Sequence, residues 1–238
     1  DEPYQMNDFN GYDNKLDKIN DIDDKPKQFK DLDSYNQFLK ILSQLSEKFI
    51  INVHTLNHDL LFESFNKKEA LVDKSSDGFD EFGSEYYGQL KQGNITYNCR
   101  LERYTGRYNT PVRLFKLHGS LDYVPFYRRT VNNIMIPDKY VKIKSGISAG
   151  DIIKSCKSKM KYDASPFEYH ADFLTGTTSK IKRYNEPILF KKLFKKFEKN
   201  LRQAEKLIII GYGCKDEGIN DIIKEHFDYK HKPSFIID

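Results

Sequence analysis

Three short polar clusters hold the residue types that could do chemistry in this chain: Thr55-x-Asn57-x-Asp59, His118-Gly119-Ser120 and Gly211-Tyr212-Gly213. Each stands where a predicted strand gives out: "FIINV" leads into the first, "VRLFKL" into the second and "KLIII" into the third. In an open parallel sheet the carboxyl ends of the strands face one crevice, and ligands bind there. Glycines let the backbone approach a phosphate or a ribose closely, and the amino terminus of a following helix favours an anion. The coincidence of three clusters at three strand ends is worth more than any one of them.

Each cluster also has an ordinary structural reading. Asn57 and Asp59 suit the cap of a helix entering at Leu60, and for those two residues alone this is the simpler account. His118 before Gly119 equally suits a hydrogen-bonded structural histidine. Gly211-Tyr212-Gly213 lacks the third glycine of a dinucleotide fingerprint, and Asp216 stands in its place. His58 and the lysines after Pro187 read as solvated surface.

The elements that must position these clusters follow from periodicity. A helix is predicted from about Ser34, with Ser34 as cap and Phe38, Leu39, Ile41, Leu42 and Leu45 on one face. A strand over Phe49–Thr55 and a short helix through Leu60, Leu61 and Phe65 follow. Val112–Ser120 reads as the next strong strand. Pro187–Ala204 is the clearest helix, with Phe190, Leu193, Phe194, Phe197 and Leu201 on one face and lysines opposite. "KLIIIGYG" reads as a fully buried strand, Ile219, Ile222, Ile223 and Phe227 as a helix face, and "SFIID" as a closing strand. This alternation predicts an α/β fold, a Rossmann-like parallel sheet flanked by helices. Residues 66–111 and 121–186 read as long insertions, the first with a hairpin near Ile95–Arg103, and loops of such length are usually functional or hold structure of their own.

Composition narrows the class. Residues 1–33 carry ten acids against five lysines and read as an irregular acidic segment, broken at Pro26; the chain's +4 therefore leaves +9 on the remainder. A net +4 does not indicate nucleic acid as a partner. No run approaches a membrane span and no signal peptide is visible, so a cytoplasmic protein without membrane contact is expected. Cys99, Cys156 and Cys214 are odd in number and form no C-x-x-C pair, which opposes both a disulfide framework and a four-cysteine zinc site. The sequence opens at Asp1 without Met, so a piece of a longer chain is expected.

Taken together, the motifs resemble the sirtuin-like superfamily. "TLNHD" resembles its T-x-N-x-D motif, which contacts the nicotinamide ribose. "KLHGS" resembles the strand-end His-Gly motif that holds the catalytic base. "LIIIGYGCKDEGIND" resembles the later Gly-containing nucleotide loop, above all in the bacterial branch that acts in phage defence by destroying NAD, and "FLTGTTSKIKRY" resembles a further segment of that branch. The resemblance covers roughly residues 34–238.

It implies a sirtuin-type domain that hydrolyses NAD, as substrate, to nicotinamide and ADP-ribose. Breaking the nicotinamide–ribose bond develops positive charge on the sugar, so the protein must position the ribose, exclude bulk water and admit one nucleophile. On that reading Asn57 holds water or a ribose hydroxyl, and His118 accepts a proton. Asp59 orients the sugar or stabilises its cationic character. Thr55, Gly119, Ser120, Gly211, Tyr212, Gly213, Asp216, Asn220 and Asp238 contact the dinucleotide. A homo-oligomer, or further domains or a partner of a defence system, is also implied.

Two departures from the family set the rivals. The paired zinc cysteines of sirtuin deacetylases are missing, so no metal and no zinc module is expected, which opposes an NAD-dependent protein deacylase. The family's first strand and Gly-Ala-Gly-x-Ser loop, which cradle the pyrophosphate, are missing too, since residues 1–33 contain only Gly11. That gap favours a catalytically degenerate nucleotide-binding or assembly module, unless the loop lies upstream of Asp1 or Gly146–Gly150 replaces it.

Overall fold

The strands that carry the first two clusters pair directly. In the computed structural model, which describes residues 32–65, 71–129, 131–132, 135–144, 147–156, 159–161, 171–174 and 188–237, β1 (Ile51–Thr55) runs parallel to β7 (Val112–Lys116), with Ile51 opposite Val112 and Thr55 opposite Lys116. The two-residue β2 (Ser75–Ser76) pairs with the other edge of β7, giving the order β1-β7-β2. β7 is central and its side chains are mostly buried, while β1 is an edge and only half-buried. The chain is thus a mixed α/β protein with a three-stranded parallel sheet flanked by helices.

The remaining predicted strands do not join that sheet. β12 (Leu207–Ile210) and β13 (Ser234–Ile237) pair in parallel with each other alone among the described residues. The expected full burial of β12 is also overturned: Ile208 and Ile210 are 49% and 59% exposed, and β13 is exposed throughout. Their register sets Ile208 beside Phe235 and Ile210 beside Ile237, and neighbours in parallel register point to one face. Those four exposed apolar side chains share a face, where Lys206 Nζ lies over the Phe235 ring at 5.8 Å. An apolar run reports what a segment can bury, not what is there to bury it.

The helices largely follow their sequence pattern. α1 spans Asn36–Ser46 after a 3-10 turn at Leu32–Tyr35, so Ser34 is not its cap. Only Leu39 and Leu42 of its predicted face are buried, and Phe38, Ile41 and Leu45 are exposed. α2 is the single turn Leu61–Phe65. α3 spans Ile188–Gln203 and buries Leu189, Phe190, Leu193, Phe194, Phe197 and Leu201. α4 spans Glu217–His226, and Ile219, Ile223 and the following Phe227 join the same core as α3, Phe115 and Leu117.

Apart from β2, the described strands of the two long insertions are antiparallel. β4 (Tyr86–Gln92) and β5 (Ile95–Arg100) form the hairpin that was expected near Ile95. β10 (Ile152–Cys156) pairs with β4, and β11 (Lys159–Lys161) pairs with β10. A second sheet holds β3 (Phe79–Asp80), β6 (Glu102–Tyr104), β9 (Met135–Lys142) and β8 (Tyr123–Arg129), in that order. Tyr86, Leu101, Val124, Phe126, Val141, Ile147 and Ile152 form a core of their own between these sheets. Gly88 in β4 is required there, because a Cβ would lie 2.4 Å from Cγ2 of Ile147. The acidic segment up to Asp31, Gly146, residues 175–187 and Asp238 lie outside the described residues.

Candidate functional site

Parallel pairing brings the first two clusters side by side. Leu117 N–H donates to Thr55 O at 3.0 Å, continuing the β1–β7 ladder, and Leu121 N–H donates to His58 O at 3.1 Å. Between these ties the first cluster folds on itself. Asn57 N–H donates to Thr55 Oγ1 at 3.1 Å, and Leu61 N–H donates to Asp59 Oδ1 at 2.9 Å. Thr55 is therefore a turn residue, and Asp59 takes the capping role that its side chain favours at a helix start. Asn57 is left exposed at the rim.

His118 lies deeper, only 4% exposed. Its ring stacks over His58 with centroids 6.1 Å apart, and Phe173 lies against the other histidine at 5.0 Å. His58, read from the sequence as solvated surface, is instead half-buried in this aromatic layer. The peptide segment Asp172–Leu174 is laid across the strand end: Leu174 N–H donates to His118 O at 2.7 Å, and Gly119 bridges to Phe173. Gly119 has φ +85°, and a Cβ there would stand 2.4 Å from Asp172 O, so no other residue fits. Asp172 is itself buried and accepts from Tyr140 Oη at 2.7 Å. Ser120 is fully buried and accepts a hydrogen bond from Lys116 Nζ at 2.9 Å, so the structure turns it inward.

The third cluster meets the second through Asp216. His118 Nε2 lies 3.5 Å from Asp216 Oδ2. The other carboxylate oxygen of Asp216 caps α4, accepting from Ile219 N–H at 3.3 Å. Asp216, expected on the dinucleotide, is thus turned to the histidine and to its own helix. Tyr212 Oη donates to Asp216 O at 3.0 Å and to Asn220 Oδ1 at 3.1 Å, and Asn220 Nδ2 donates to Cys214 O at 2.8 Å. Tyr212 and Asn220 therefore knit the loop together. Gly211 and Gly213 face open space, with nothing within 4 Å of where a Cβ would be.

Sequence reasoning missed His58, Phe173 and Lys116. Lys116 left a legible signal, a charge between Phe115 and Leu117 in a mostly apolar strand run. Phe173 opens the "FLTGTTSKIKRY" segment, but its contact with His58 depends on a long-range bridge that the segment does not encode. Neither a protein-family model nor any curated protein matches the chain. Among the described residues no group of His, Cys, Asp or Glu could hold a metal ion, and no helix is long and apolar enough to cross a membrane. Chemically, the site offers a histidine beside a carboxylate, an exposed carboxamide at the rim and a glycine loop open to an approaching backbone or ligand.

Proposed function

We propose that this is a sirtuin-type NAD hydrolase, cytoplasmic and bacterial, releasing nicotinamide and ADP-ribose in defence against phage. The single observation that supports it best is the meeting of His118 with Asp216 at the carboxyl end of β7, beside the loop that carries Asn57. A carboxylate next to an imidazole can orient the ring for proton transfer. His118 takes the proton of a ribose hydroxyl or of water. Asn57 holds that water or hydroxyl as the glycosidic bond stretches. Gly211 and Gly213 leave room for the dinucleotide. The choice of NAD as the ligand rests on the motif resemblance.

A second reading, a degenerate nucleotide-binding or assembly module, has its own support. Asp216 and Glu217 put two carboxylates at the amino terminus of α4, where a pyrophosphate would seek positive charge. His118 is also buried.

Incubation of the protein with NAD, with and without an acylated peptide, separates the readings. Nicotinamide and ADP-ribose in equal amounts without peptide are the expected products. Turnover only with the peptide would make the protein a deacylase. No turnover in either arm would overturn the hydrolase and leave the module.

A further inference from the structure

Lys116 is the least expected side chain in the molecule. It closes β7, it is 1% exposed, and its charge is balanced by Glu63 of α2, with Nζ and Oε1 2.8 Å apart. Its other partners all belong to the site loops. Nζ donates to Asp59 O, approaches His58 O at 3.4 Å, and donates to Ser120 Oγ at 2.9 Å. Ser120 Oγ in turn lies 3.4 Å from His58 O. One ammonium therefore ties the loop after β1, the turn after His118, and α2.

Stability is a weak reason for such a group. A buried ion pair replaced by apolar residues of similar volume is often neutral or stabilising, because desolvation offsets the attraction. What the pair supplies is a fixed geometry. Backbone bonds tie the first loop to the end of β7 at Thr55 and at His58. Asn57 sits between those ties, held by a turn of its own chain. Lys116 is the side chain that locks the far side of that gap, at His58 and Asp59. The same residue leads by two positions into His118.

We infer that the buried Lys116–Glu63 pair is a positioning device, holding the Asn57 loop in register with His118. This rests on reading that loop as the sugar-binding half of the site. Lys116 and Glu63 touch no substrate; they act through the backbone of residues 58 and 59. A displacement of the order of 1 Å in a reacting constellation costs about 10²-fold in rate, which sets the expected effect.

The test compares the wild-type protein with the double variant Lys116→Met/Glu63→Leu, which removes both charges and keeps the volume. Expected are an unchanged melting temperature, NAD affinity within about threefold, and a fall in kcat of about 10²-fold. Amide hydrogen exchange at residues 57–61 should speed up at least about tenfold as the loop opens locally, while the core of α3 stays protected. Wild-type turnover in the double variant would overturn the inference, and so would failure of that variant to fold, since the pair would then serve the fold itself. If the wild-type protein leaves NAD intact, the hydrolase reading fails separately. The exchange measurement then decides alone: unchanged protection at residues 57–61 overturns the positioning role, and faster exchange supports it.

Discussion

His118 Nε2 lies 3.5 Å from Asp216 Oδ2, joining the end of one parallel sheet to the helix that connects the two strands of another pair. This contact turns two separate strand-end clusters into one site. Asp216→Asn is the informative substitution, because asparagine caps a helix about as well as aspartate. The fold should therefore keep its melting temperature. NAD cleavage should fall by about 10²–10⁴-fold, the usual worth of general acid–base assistance, and His118→Ala should fall as far. Steady-state rates of nicotinamide release measure both. Full activity in Asp216→Asn would reduce the contact to a structural pairing.

Asn57 is the exposed member of the site, so its loss should leave folding untouched. Its interaction with water or a ribose hydroxyl strengthens as the glycosidic bond breaks. Asn57→Ala should thus lower kcat far more than NAD affinity. Calorimetric titration beside initial rates separates the two. A pure affinity loss would make Asn57 a binding residue.

Gly119 predicts a stability effect instead. Its φ of +85° is a conformation that side chains rarely adopt, and a Cβ would press on Asp172 O. Gly119→Ala should cost about 2–3 kcal/mol, visible as a lower midpoint in urea. An unchanged midpoint would show that segment 171–174 gives way freely.

Much of this arrangement was legible in the sequence, and the physical reasons for the rest are specific. β1, β7, α3 and α4 carried strong local patterns and formed near where they were expected, β7 ending at Lys116 rather than at Ser120. Of the antiparallel strands in the insertions, only the hairpin near Ile95 was legible. In β4 the inward series is Tyr86, Gly88 and Leu90, and the glycine that admits Ile147 breaks the apolar alternation. The sheet division was illegible for another reason: β12 has the composition of a buried strand, yet among the described residues it pairs with β13 alone. At the site, His118 and Asn57 were visible as types at strand ends. The contact to Asp216 and the Phe173–His58 layer arise from tertiary packing, which local pattern does not encode.

His54 in β1 gives a pH dependence with a definite sign. Its ring lies between Phe115 and Phe197, with centroids 4.7 Å away on each, and Asn200 Nδ2 stands 3.3 Å from its Nε2. Although part of the residue remains accessible, burial of the ring lowers its pKa to about 3 from the ordinary 6.5. The unfolded chain binds this proton below about pH 6.5 and the folded one does not, so stability falls as pH drops from 6.5 towards 3. At about 1.4 kcal/mol per pH unit, the loss between pH 7 and pH 5 is at most about 2 kcal/mol. His54→Phe should remove that part of the slope while keeping the stack. Urea midpoints of both proteins at the two pH values check it; equal slopes would mean that the folded state accepts the proton.

The glycine loop after β12 supplies the test of ligand approach itself. Gly213 has an ordinary backbone conformation and open space where a Cβ would project. Gly213→Ala therefore costs the free protein little, and its melting temperature should stay within about a degree, as for a surface change of under ~0.5 kcal/mol. A dinucleotide whose phosphates or ribose run close to that backbone would meet the new methyl group. NAD affinity should then drop by about tenfold, the worth of ~1.4 kcal/mol, while the melting curve without ligand does not move. Because the free fold is insensitive to this substitution, the affinity change reports the ligand's path and nothing else. Unchanged NAD binding in Gly213→Ala would take the path of the dinucleotide away from this loop.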